Sequence, residues 1–321
     1  MAFSCTADMP AAEPLLGELH KHVVGRHREL ELTLAALAAH RHVVLEGPPG
    51  TGKSTLLRAV SNALGIGFQF VEGNAELTPA RLVGSFDPAR VLNDGYTVDA
   101  FLDGPLVAAM RTGDLLYVEE INRIPEETLN VLITVMSEGE ITVPRLGRIE
   151  AAEGFRLVAA MNPFDSVGTA RISSAVYDRM CRIAVTYQDA ADETAIVEKV
   201  ATGINAEWIR KVVDVVRRTR EHGDLRFGSS VRGAIDTALV AQSLATLRGA
   251  QVTTSTVGLD AALTALSGRV RLREGVTRSA EDIVSEIWHE VFATPTDESG
   301  ANEKGDEGKA TAPAGATNFR S

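Results

Sequence analysis

The sequence predicts an α/β domain built on a parallel sheet, followed by a second domain made of helices. Three observations carry that expectation. Residues 42 to 46 are a short, largely apolar run that breaks into a glycine-rich turn and then into the helical pattern Leu56, Leu57, Val60 and Leu64, after which residues 68 to 72 read as another strand. A strand, a helix and a strand in that order imply a right-handed crossover in a parallel sheet covered on both faces. Leu115-Leu116-Tyr117-Val118 is continuously apolar, as a central strand buried on both sides requires. At Asp189 the character changes, and from there to Ala293 the sequence reads as helical throughout.

Composition narrows the classes. A chain of 321 residues, 45% hydrophobic, can bury a core in each of two domains without disulfide or metal staples. Its two cysteines, Cys5 and Cys181, are far apart and lack metal-ligand spacing, which fits a reducing cytoplasm. Neither a signal sequence nor a membrane span is expected, since no apolar run is long enough. The net charge of -11 argues against a broad nucleic-acid surface, because neutralising phosphates takes clustered Lys and Arg. It fits solubility and a protein partner better.

The glycine-rich turn carries the chemistry. Gly47-Pro48-Pro49-Gly50-Thr51-Gly52-Lys53-Ser54-Thr55 has the spacing of a phosphate-binding loop. Glycines let backbone N–H groups face phosphate oxygens closely, and the helix beginning near Lys53 aims its positive end at the same charge. Lys53 adds a point charge for the outer phosphates, and the Ser54 hydroxyl suits magnesium, which prefers hard oxygen ligands. A second cluster, Glu119-Glu120, should emerge at the carboxyl end of the sheet, where open parallel sheets bind ligands. In hydrolysis Glu119 would hold the metal through water, while Glu120 would orient or deprotonate the attacking water.

The remaining segments follow in order. Residues 1–14 are expected to be a loose leader. Leu15 to Ala39 has helical periodicity broken at Val23-Val24-Gly25-Arg26, which either wraps an adenine or turns between two core helices. Turn residues recur at short intervals over 73 to 104, so small elements are expected there and not one helix. Pro125 opens a helix with Glu126 and Glu127 in its first turn and Gly139 at its end. Ile141 to Glu150 alternates like a hairpin bent near Pro144 and Gly147, Phe155 to Met161 is a strand ending at Asn162-Pro163, and Ile183 to Val185 is a last short strand. In the helical region Ile209, Val212, Val213 and Val216 form one stripe, and Ser279 with Asp282 has capping-box spacing. A basic cluster of Arg210, Lys211, Arg217, Arg218 and Arg220 is expected to be a solvated helix face or a subunit contact. Residues 294–321, almost without large apolar side chains, are expected to be disordered.

Taken together, Gly-Pro-Pro-Gly-Thr-Gly-Lys-Ser, Leu-Tyr-Val-Glu-Glu-Ile-Asn-Arg, Ala-Met-Asn-Pro and Tyr-Asp-Arg-Met resemble an AAA+ ATPase, and most closely the MoxR family. The resemblance covers roughly residues 15 to 290. Val83-Gly84-Ser85-Phe86-Asp87 and Gly104-Pro105-Leu106 also resemble the AAA+ subunit of magnesium chelatase. It implies an AAA+ P-loop domain with a parallel five-stranded sheet over residues 15–187 and an α-helical lid domain over 188–293. It further implies a homo-oligomeric ring, usually hexameric, with ATP and Mg2+ between subunits. Among binding residues it places Val24 beside the loop at the nucleotide. Asn162 matches the sensor-one position, Arg179 the arginine finger with Arg182 as its rival, and Arg232 the sensor-two arginine of the lid. Residues 87 to 104 and the hairpin match inserts that in the family face the pore or a partner.

Two departures stand out. Glu119 replaces the usual Asp and is longer by one methylene, and Met180 stands where the family often has Phe. The activity implied is ATP hydrolysis that remodels or activates a protein client, such as a maturing metalloenzyme, often with a von Willebrand A domain partner. Three alternatives remain at this point: the motor subunit of a metal chelatase, a nucleic-acid motor, and a nucleotide-gated scaffold with little hydrolysis.

Overall fold

A computed structural model describes residues 12–163 and 174–293. The chain opens with α1 (Ala12–His22) and α2 (His27–Ala38), then β1 (His42–Glu46), α3 (Lys53–Leu64) and β2 (Phe68–Glu72). Of the leader expected over 1–14, the first eleven residues lie outside the described residues, and α1 already takes up the last three. The tail expected over 294–321 also lies outside them.

After β2 come the small elements that the turn residues predicted. These are α4 (Pro79–Val83), β3 (Gly84–Phe86), α5 (Pro88–Asp94) and β4 (Phe101–Asp103), with β3 and β4 paired antiparallel. Then follow α6 (Pro105–Thr112), β5 (Leu115–Glu119), α7 (Glu126–Glu138), the antiparallel hairpin β6 (Glu140–Val143) and β7 (Gly147–Glu150), β8 (Arg156–Met161), α8 (Ser174–Tyr177) and β9 (Met180–Ala184).

Five strands form one parallel sheet in the order β2-β5-β8-β1-β9. The apolar run Leu115–Val118 is therefore interior, although β8 holds the middle place. Two layers of helix cover the sheet, and the period of two along each strand divides the side chains between them. Leu116, Val118, Leu157 and Ala159 join a core with α6 and α7, while Tyr117, Val158, Ala160 and Leu45 join another with α1, α2 and α3.

β1 is further tied to β8 by His42, whose Nδ1 accepts the backbone N–H of Leu157 at 2.9 Å. Burial pushes the His42 imidazole down to about 4, so the neutral ring is the folded form. Below its ordinary value of 6.5 the unfolded chain binds a proton that the folded chain refuses, so stability falls as pH drops from 6.5 toward 4. His42→Ala is expected to flatten that part of the pH profile by about 2 kcal/mol relative to wild type, read from urea unfolding at pH 4.5 and 7.

The inserts leave apolar side chains in solvent. α5 buries no residue, and Leu92 and Val98 are 87% and 66% exposed. The hairpin reaches this region through Arg145, whose guanidinium lies 3.7 Å from the centre of the Tyr96 ring.

The C-terminal part contains α9 (Ala190–Val200), α10 (Ala206–Glu221), β10 (Leu225–Phe227), α11 (Val231–Arg248), α12 (Ser255–Leu266), β11 (Arg271–Leu272) and α13 (Ala280–Phe292). It is not helical throughout, because β10 and β11 pair antiparallel. Strands of three and two residues are too short to show an alternation, so the sequence pattern misses them. Five helices pack around their own core, in which the Trp288 and Phe292 rings stack 3.9 Å apart and Trp208 lies edge-on to Trp288. The capping box of Ser279 and Asp282 forms as its spacing predicted.

The basic cluster of α10 is divided between an internal ion pair and the surface, where Arg210 is exposed. Arg217 and Arg220 both bond the buried Glu193 carboxylate, at 3.2 and 2.7 Å, and Arg218 pairs with Asp214 and Glu290. No helix of the described residues is long and apolar enough to cross a membrane.

Candidate active site

The site grows from the carboxyl ends of three neighbouring strands, β5, β8 and β1. Between β1 and α3 the chain turns back through Gly50 and Gly52, whose φ angles of 74° and 79° lie in the region that glycine favours. Gly47 is required for a different reason. A Cβ there would lie 1.9 Å from the Val185 carbonyl oxygen, so only glycine lets the loop leave β1 beside β9.

Within the loop Lys53 folds back, and its Nζ donates to the Gly47 and Pro48 carbonyls at 2.9 and 2.8 Å. Burial pushes the Lys53 ammonium down to about 8; Glu119 opposes the shift, and the Arg232 and Arg26 charges add to it. An anion in the loop would reverse that effect by favouring the charged ammonium. Ser54, next on α3, donates to Glu119 Oε1 at 3.1 Å. Glu120 sits at φ 52° and ψ 45°, a left-handed conformation uncommon for a residue with a side chain, and its carboxylate meets Arg123 at 3.1 Å. Such a local strain turns Glu120 away from the strand direction that Glu119 follows. Asn162 directly follows Met161, which pairs with Glu46, so it stands beside the start of the loop.

From the helical part, α11 brings Ser230 and Arg232 to the loop. A Cβ on Gly50 would lie 2.1 Å from Ser230 Oγ and 3.6 Å from Arg232 Cδ. Val24 accepts a hydrogen bond from the Gln188 amide at 2.6 Å, and Gly25 packs against the Asp192 carboxylate. The segment between α1 and α2 is thus clasped by the chain leading into α9.

Arg179 is not brought to these groups. β9 runs parallel to β1 with Met180 level with His42, so Arg179 lies at the amino end of the sheet, six residues before Val185 and roughly 20 Å away along the strand. There it donates to Ser137 Oγ at 2.5 Å and to the Ala175 carbonyl at 2.9 Å. Its rival Arg182 makes a two-pronged bond to Glu46, at 2.6 and 2.9 Å, which holds that carboxyl below its usual range.

Three further residues meet the loop in roles that the sequence pattern does not assign. Arg26 is buried and donates to the Thr51 and Thr186 carbonyls at 2.9 and 2.6 Å, bracing the loop from behind. Glu46 ties the end of β1 to β9 through Arg182, and Tyr117 touches Ser54. Each lies in or beside a stretch that the sequence singled out, but no local pattern assigns it a partner, because each partner lies 25 or more positions away.

Residues 42–180 match the family described as AAA domain, dynein-related subfamily. This segment is similar to AAA domains. The chain is 27% identical over 266 residues to the uncharacterized protein YeaC of Bacillus subtilis, covering 73% of this chain and 80% of that one. By structure it resembles a protein from Cytophaga hutchinsonii with a TM-score of 0.50 and 20% identity, covering 86% and 92% of the two chains. It also resembles the RuvB Holliday junction branch migration motor of Thermotoga maritima, with a TM-score of 0.50 and 19% identity over 76% and 72%. At these identities the likeness is one of fold, the AAA+ P-loop fold with a helical C-terminal part. AAA+ proteins generally bind ATP with Mg2+, and the donor set here suits both: a loop of backbone N–H groups with an ammonium, and a hydroxyl beside a carboxylate.

Proposed function

We propose that this chain is an AAA+ ATPase that hydrolyses ATP to ADP and phosphate within a ring of its own copies, usually six in the MoxR family that it resembles. The motion that follows would remodel or activate a protein client in the cytoplasm. The observation that carries this reading is the convergence of Lys53, Ser54, Glu119, Glu120 and Arg232 on one glycine loop.

In this reading residues 15–187 and 188–293 are the nucleotide-binding and lid domains. The loop from Gly47 to Thr55 holds the phosphates by its N–H groups, and Val24 and its neighbours contact the base. Lys53 neutralises the outer phosphates, and Ser54 with Glu119 holds the metal. When bound there, magnesium would neutralise charge on the phosphate oxygens. Glu120 orients the attacking water and takes its proton, while Asn162 fixes the water's direction. Arg232 links the terminal phosphate to α11 and so to the lid. Arg179 stabilises transition-state charge at the site of the next subunit.

The exposed apolar side chains of α5 and its flanks support a protein-facing surface, for the client or for a von Willebrand A domain partner. The engagement of Arg217, Arg218 and Arg220 with carboxylates, together with the net charge of -11, weighs against a nucleic-acid motor.

ATP turnover of the full chain tests the reading. Wild type is expected to hydrolyse ATP, and Lys53→Ala to lower turnover by roughly 10²–10³-fold. A wild-type protein that neither binds nor hydrolyses ATP, alone or with a candidate partner, would overturn it.

A further inference from the structure

One polar group at the carboxyl ends of the strands has no part in the scheme above. Tyr117 lies two residues before Glu119 on β5, so both side chains leave the same face of the sheet, toward α3 and Ser54. The Tyr117 side chain is fully buried, with its hydroxyl 3.1 Å from Ser54 Oγ. Ser54 in turn donates to Glu119 Oε1 at 3.1 Å, which joins phenol, hydroxyl and carboxylate in a row.

The proton count decides the direction of the bonds. An ionised carboxylate only accepts, and the Ser54 proton is already directed to it. The phenol therefore donates to Ser54 Oγ. Its ring is held in place by Phe68 and Phe70, with centroids at 5.6 and 5.7 Å, and the Arg58 guanidinium caps both of those rings at 5.1 and 5.8 Å. A strand position in this core needs only the ring. The hydroxyl is the part of Tyr117 that packing does not explain, and a buried phenol O–H needs a partner.

We propose that Tyr117 is a positioning residue of the divalent-cation site. It rests on the ATP reading and names what sets the cation site in order. Glu119 carries one more rotatable bond than aspartate, and the phenol limits that freedom by fixing the Ser54 hydroxyl that bonds the carboxylate. Tyr117 thus acts on Glu119 through Ser54, compensating the longer acid. Outer partners of this kind change metal affinity without touching the metal.

The experiment titrates a fluorescent ATP analogue bound to the full chain with MgCl2, and separately measures its binding in EDTA. Tyr117→Phe is expected to raise the half-saturating Mg2+ about tenfold, with analogue binding in EDTA unchanged. The melting temperature of the nucleotide-free protein should stay within about 2 °C of wild type. In the Glu119→Asp background the shorter acid withdraws from the hydroxyl that the phenol orients, so adding Tyr117→Phe should change Mg2+ demand by less than about twofold. An unchanged Mg2+ titration in the single variant overturns the proposal, as does equal sensitivity in both backgrounds. A Tyr117→Phe protein that unfolds or melts far lower also overturns it, because the hydroxyl would then belong to the fold. Failure of wild type to bind the analogue even in EDTA would instead count against the ATP reading.

Discussion

An equal mixture of Glu120→Gln and Arg179→Ala subunits is expected to recover ATP turnover that neither variant has alone. Glu120 stands at the loop, whereas Arg179 lies at the opposite end of the sheet, roughly 20 Å along the strand. No side-chain rotation of Arg179 spans that distance, so a catalytic Arg179 must serve another copy. In a closed ring with head-to-tail contacts, each site then takes its carboxylate from one subunit and its guanidinium from the next. Glu120→Gln keeps the shape but cannot accept a proton, and should cost roughly 10²–10³-fold. Arg179→Ala removes charge stabilisation and should cost on the order of 10³-fold or more. Random mixing places both intact residues at about one interface in four, so the mixture should regain about a quarter of wild-type turnover. Hydrolysis that survives Arg179→Ala would remove that residue from the site and leave Arg182 to be tested. A mixture as inactive as its components would mean that sites are not shared.

Gly47→Ala is expected to damage the fold and the site together. The new Cβ would stand 1.9 Å from the Val185 carbonyl oxygen and 2.9 Å from its carbon, and both are backbone atoms that cannot turn aside. Room can come only from parting β1 and β9 at Glu46 and Ala184, where the Val185 N–H bonds the Glu46 carbonyl at 2.7 Å. Overpacking of this kind costs about 3 kcal/mol, a fall in melting temperature of roughly 6–12 °C for a chain of this size. Nucleotide binding should fall with it, because the loop leaves β1 at the moved residue. Gly139→Ala is the control. It has φ 68° but nothing within 4 Å of a new Cβ, so it should cost only about 1 kcal/mol and leave binding intact. Equal stability of the two variants would show that the contact with Val185 yields easily.

The sheet, its crossover and the phosphate loop were legible because each is written over a short stretch. The apolar run at β1, the glycines and Lys53-Ser54 are neighbours in sequence, and the loop's chemistry depends on neighbours. The same holds for Leu115–Glu119, where the run and its terminal carboxylate lie on one strand, and for the capping box at Ser279. The β10–β11 pair was not legible, since strands of three and two residues leave no period to detect.

Spacing within the chain was enough to specify a phosphate loop, a parallel sheet and a helical second part, since backbone geometry and side-chain periodicity are local properties. Which distant groups meet that loop was settled only by packing. The contact of Ser230 and Arg232 with Gly50, the Arg26 brace behind Thr51, the Glu46–Arg182 tie and the Tyr117 hydroxyl at Ser54 join residues from 25 to more than 180 positions apart. A short-range pattern cannot encode such meetings, because they depend on strand order and on how the helices close over the sheet. The same order carries Arg179 away from the loop, although its own motif gives no hint of the distance.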